Sequence, residues 1–203
     1  MINRDYYINN NKIEIDNNCI KYNFITIKWE DVNDFDFRHE YFNGNGGADL
    51  IIKTINSRIG INVTRTIFSV KSKSREIDLL NKLFIEILPF LNVGYLQHSI
   101  KMINNYGKIK VANLQFSKYF VSIRPRRNLW INKIDITYDN AVILIENLKI
   151  GFVGGAGNSN FLTLVDTQNN KEYRYSRSAN YQSSIGDNIK AKNLLTYIKE
   201  NGT

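Results

Sequence analysis

At 203 residues the chain has room for one large domain or two of about 100, and 43% apolar residues with only 2 prolines exclude a disordered chain. The single cysteine, Cys19, excludes an internal disulfide framework. Lys and Arg outnumber Asp and Glu by 27 to 19, and the net charge of +8 favours anionic partners such as nucleic acid, acidic lipid or an acidic protein without selecting among them.

The opening MINRDYYINNNK lacks the apolar core of a signal peptide, and no apolar run approaches the roughly 18 residues that span a bilayer. A cytoplasmic location without a transmembrane segment is therefore expected. Asp5 to Ile8 and Lys12 to Asp16 read as short strands around an Asn9-Asn10-Asn11 turn, since Asn tolerates the left-handed backbone of tight turns. Cys19 to Asn23 follows, with Cys19 as a small core residue rather than a nucleophile. Ile25 to Phe37 reads as one long strand whose apolar phase shifts between Trp29 and Val32, implying a bend at Glu30-Asp31. NGNGG at 43–47 is a hairpin connection, with no helix after it to make a phosphate cradle; Ala48 to Ile55 and Arg58 to Thr64 form the next hairpin.

Ser74 to Leu91 carries Ile77, Leu80, Phe84, Ile87 and Leu88 at helical spacing, with Ser74 as N-cap and Pro89 ending or kinking the helix. Residues 92–105 then bridge to a second module, with a short helix over Tyr95 to Ile103. That module repeats the first at an offset of 101: Ile13 falls on Leu114, Ile15 on Phe116, Cys19 on Phe120, Ile20 on Val121 and Trp29 on Trp130. After Trp130 the offset grows, and Phe161 to Asp166 answers Leu50 to Ile55. Lys171 to Tyr175 is the last strand, and Asp187 to Glu200 a helix capped by Asp187 and facing inward through Ile189, Leu194, Leu195 and Ile198.

The motif I-x-W-x-D-V at Ile27 to Val32, the opening YGKIKVANLQFS at Tyr106 to Ser117, and the order of strands, hairpin and closing helix resemble the bacterial pleckstrin-homology-like domain. The resemblance covers nearly the whole chain as two copies. It implies a mainly β, α+β architecture of two tandem partly open barrels, each of about seven short antiparallel strands closed by a C-terminal amphipathic helix. The domains are expected at 1–91 and 106–203, joined by the 92–105 linker. It also implies a scaffold that binds rather than catalyses, although fold alone does not fix function. The second copy departs from the motif, because Ile131-Asn132-Lys133-Ile134 follows Trp130 without an acidic pair.

Lys118 with Arg124, Arg126 and Arg127, stiffened by Pro125, is the sharpest basic cluster; it is either a site for phosphate or carboxylate or a solvated basic loop. Lys71, Lys73 and Arg75 form a second basic run, at a helix start where the dipole disfavours cations. Glu30, Asp31, Asp34, Asp36 and Glu40 read as the exposed face of a strand, with Asp34 and Asp36 outward. His39 and His98 lie 59 residues apart without zinc-site spacing, and no nucleophile motif is present, so neither metal, cofactor nor enzyme activity is expected. AVILIENLKIGF at Ala141 to Phe152 is too apolar for a solvated loop; it is an added strand pair or a surface buried against another copy, with Val142, Leu144, Ile150 and Phe152 as interface residues. Two functions follow: a non-enzymatic scaffold acting through a protein partner or self-association, or capture of nucleic acid or acidic membrane by the basic loop.

Overall fold

The computed structural model describes residues 3–42, 45–65, 70–111, 114–123, 141–154, 160–175 and 185–201. The described residues form a mainly β, α+β protein with fourteen strands in four antiparallel sheets and two helices, and no sheet closes into a barrel. The chain divides into two compact units, Met1–His98 with Ser184–Gly186, and Ser99–Ser183 with Asp187–Thr203.

The first unit opens with β1 (Asn3–Ile8), β2 (Asn11–Asp16), β3 (Cys19–Tyr22) and β4 (Ile25–Lys28), paired in sequence order. Asn9 and Asn10 both take positive φ, 50° and 61°, in the tight turn between Ile8 and its partner Asn11. Ile13 pairs with Tyr22, Ile15 with Ile20, and Ile20 with Ile27, so alternate residues point to one buried face. The expected bend is a single turn of 3-10 helix at Trp29–Asp31, which separates β4 from β5 (Asp34–Phe42) and places them in different sheets. β5, β6 (Asn45–Lys53) and β7 (Arg58–Arg65) make the second sheet. Its register pairs Phe42 with Asn45, so Gly46 and Gly47 belong to β6 rather than to the hairpin turn.

α1 (Val70–Tyr106) begins before Ser74 and runs straight through Pro89, so residues 92–105 are helix rather than linker. Pro89 is tolerated because it lies on the exposed face, where the carbonyl it leaves unpaired meets water. Ile77, Leu80, Phe84, Ile87, Leu91 and Tyr95 line the buried side. Phe84 stacks on Phe37 at 4.1 Å, Phe90 on Trp29 at 5.4 Å, and Tyr95 meets Phe35 edge-on at 5.9 Å. Burial of each such side chain is worth on the order of 2 kcal/mol. The helix ends where Gly107, at φ 76°, donates its N–H to the Ile103 carbonyl at 2.8 Å. By length and composition alone α1 is also the one helix among the described residues that could cross a membrane.

The second unit contains β8 (Ile109–Val111), β9 (Leu114–Phe116), β10 (Phe120–Ile123) and β11 (Ala141–Leu144), again paired in order. Another 3-10 turn, Ile145–Asn147, leads to β12 (Leu148–Gly154), β13 (Asn160–Asp166) and β14 (Lys171–Tyr175), and then α2 (Ile185–Asn201) follows. α2 buries Ala191, Leu194, Leu195 and Ile198, and Lys199 anchors its end by donating to the Leu148 carbonyl.

The two 3-10 turns start 116 residues apart, at Trp29 and Ile145, whereas Trp130 lies outside the described residues. At an offset of 101 the Phe116–Val121 pair of β9 and β10 corresponds to the Ile15–Ile20 pair of β2 and β3, but β8 does not follow: Ile109 pairs with Phe116, whereas Ile8 pairs with Asn11. β3 and β4 are joined by Asn23-Phe24 alone, while residues 124–140 separate β10 from β11.

Candidate interaction surface

The outer face of the β8–β11 sheet is best read beside that of β1–β4, because the same local bonds build both. Asp16 Oδ1 accepts the N–H groups of Asn18 and Cys19 at 2.7 and 2.8 Å; Ser117 Oγ accepts those of Tyr119 and Phe120 at 3.3 and 3.1 Å. Trp29 donates its N–H to the Asn18 carbonyl, and Ile145 to the Tyr119 carbonyl, each at 2.9 Å.

On β1–β4 the outer face is a ladder of charges. Lys12 Nζ lies 2.9 Å from Asp5 and 2.6 Å from Glu14, Lys21 lies 3.9 Å from Glu14, and Lys28 lies 3.6 Å from Glu30. The carboxylates of Glu14 and Asp5 hold the Lys12 ammonium well above its usual range. In the matching register of the second sheet Gln115, Ser122 and Leu144 stand where Glu14, Lys21 and Lys28 do, while exposed Lys110 on β8 and Glu146 in the 3-10 turn keep charges on either side. Where Lys28 faces Cys19 and Thr26 faces Lys21, Leu144 faces Phe120 and Val142 faces Ser122. Val142 is 66% exposed and Leu144 46%, while Ala141 and Ile143 between them are buried. Tyr119, 64% exposed, adjoins Phe120 in the preceding turn.

Of the expected interface residues, Val142 and Leu144 share this face. Ile150 is half-buried on β12, in the other sheet, and the side chain of Phe152 lies outside the described residues. Lys118 is exposed in the β9–β10 turn with its ammonium 5.5 Å from the Tyr119 ring centre, while Arg124, Arg126 and Arg127 lie outside the described residues. Tyr119 and Phe120 escaped the sequence reading because their place beside β11 depends on strand pairing.

Of the remaining candidates, Lys73 and Asp34 have structural partners, while the side chains of Lys71 and Glu40 lie outside the described residues. Lys73 bridges Asn9 Oδ1 and Glu76, both at 2.7 Å, and Lys53 pairs with Asp34 at 3.0 Å. Asp36 is a correction: it is buried and paired with Arg38 rather than turned to solvent, because Gly186 lies over it. Cys19 is buried, its thiol 3.4 Å from Asp16 Oδ2, and burial pushes its pKa up. Among the described residues no three His, Cys, Asp or Glu side chains gather as a metal site. Compared with family models, curated proteins and solved structures, the chain matches none.

Proposed function

We propose that the chain is a tandem pair of pleckstrin-homology-like modules acting as a non-enzymatic scaffold, whose second module makes protein contacts through the outer face of β8–β11. Duplication is supported by the order of sheets and helix in each half and by the paired local bonds at Asp16 and Ser117 and at Trp29 and Ile145. The observation that carries the functional reading is that Leu144 and Val142, both exposed, stand at the register of Lys28 and Thr26, with Ser122 in place of Lys21. A solvated sheet face has no need of exposed aliphatic residues, and uncharged apolar surface is what protein interfaces bury at their centres.

The test is affinity capture with the tagged chain and its Val142→Lys/Leu144→Lys variant, each checked for folding by circular dichroism, at low and high salt. Proteins retained by the wild type in high salt and lost from the variant are the expected result. Lys118, exposed beside an exposed tyrosine, favours a second reading in which the basic loop captures an anion. Binding of single-stranded nucleic acid or acidic vesicles that falls steeply with salt and disappears when Lys118, Arg124, Arg126 and Arg127 become alanine would replace the first reading with this one.

A further inference from the structure

Resting on the reading of β8–β11 as an interaction surface, we infer that its partner is a second copy of this chain, joined by antiparallel pairing of β11 with the same strand across a two-fold axis. The phase of the β10–β11 ladder fixes which groups are available. The Ile145 N–H bonds the Tyr119 carbonyl, and β10 pairs with β11 as Val121 with Ile143 and Ile123 with Ala141. In an antiparallel ladder alternate residues turn both backbone groups to the same side. Ala141 and Ile143 therefore address β10, and the N–H and C=O of Val142 and Leu144 point to the opposite edge. Among the described residues β11 is the last strand of its sheet and pairs with β10 alone.

This edge lacks the usual protection. Ala-Val-Ile-Leu holds no charge, proline or glycine, whereas the corresponding β4, Ile-Thr-Ile-Lys, carries Lys28 outward. The same four residues also match themselves. Joining two sheets edge to edge about a perpendicular two-fold keeps outer residues with outer residues. Ile143 then meets its own copy on the inner face, and Val142 meets Leu144 on the outer face, twice. Each Val142–Leu144 pair exchanges both of its backbone bonds, and each cross-strand row runs from Phe120 through Leu144 to Val142 of the other copy, ending on that copy's Ser122. Thr26 and Lys28 of β4 would form no such row. Self-pairing satisfies the open backbone groups and covers the exposed side chains of both copies at once, which no contact with the sheet face alone does.

The experiment is sedimentation equilibrium of the full chain over a wide concentration range at low and high salt, combined with register-specific cross-linking. A salt-resistant dimer is expected, with dissociation at least tenfold easier for Val142→Lys and for Leu144→Lys but unchanged for Thr26→Lys on the other unit. In a Cys19→Ser background, a mixture of Val142→Cys and Leu144→Cys chains should oxidise to a mixed dimer much faster than Val142→Cys alone, because only the mixed pair is directly opposed. A chain that stays monomeric throughout, a dimer indifferent to both lysine variants, or equally fast cross-linking of Val142→Cys alone would overturn the pairing. If the chain is monomeric yet still captures proteins in a Val142-dependent way, the copy-to-copy inference fails and the interaction surface stands. If that capture is also indifferent to Val142, both fail.

Discussion

Gly94 sits on α1 where the helix crosses the 3-10 turn of the first unit: a Cβ there would lie 2.0 Å from the Trp29 carbonyl oxygen and 3.0 Å from Val32 Cβ. In an exposed helix Gly→Ala gains about 1 kcal/mol, but here the opposing atom is backbone and cannot swing away. Overpacking should win, so Gly94→Ala is expected to lower unfolding stability by about 2 kcal/mol in urea titrations. Asp16 and Asp166 act differently, through charge. The N–H groups of Asn18 and Cys19 hold the Asp16 carboxyl below its usual range, and the Asn169 side chain, helped by backbone N–H groups, does so for Asp166. A carboxyl with a depressed folded pKa contributes stability above the unfolded value of about 3.9 and loses it as pH falls through the lower folded value. Asp16→Asn and Asp166→Asn should therefore flatten the decline of melting temperature below about pH 4. Ser117, which supplies the same turn without a charge, contributes no acid sensitivity there.

At the level of elements, α1 departs most from the sequence expectation. Its apolar spacing marks the buried stripe, but Pro89 is a signal to stop, and only the packed structure places that proline on the exposed side while Leu91 and Tyr95 continue the buried one. Pro89→Ala should consequently restore a backbone bond without disturbing the core, raising unfolding stability by about 1 kcal/mol or more in thermal or urea melts. A fall instead would mean that Pro89 helps to place Phe90 against Trp29. The strands were more legible. Alternation located β2, β3 and β4 and their buried isoleucines, and the phase shift at Glu30-Asp31 marked the turn between sheets. The pairing of Ser122 with Val142 was not legible, because it joins residues with the whole 124–140 segment between them.

For the whole molecule, the limits of the first unit follow from what completes its core. A chain cut after Leu91 loses Gly94 and Tyr95, whereas one cut after His98 keeps them; the shorter fragment is expected to melt several degrees lower by circular dichroism. Composition and periodicity by themselves determined the mainly β character, the helix at the end of each half, the turn asparagines and the apolar excess of Ala141 to Phe152. These depend on residues near one another in sequence, whose spacing records which side of a strand or helix is buried. Only the tertiary structure decided that α1 continues to Tyr106, that Asp36 is buried, and that Val142 and Leu144 share an outer face on the end strand of the described sheet while Ile150 lies in another sheet. Each of those depends on what packs opposite, and strand order and helix crossing bring together residues that no local pattern connects.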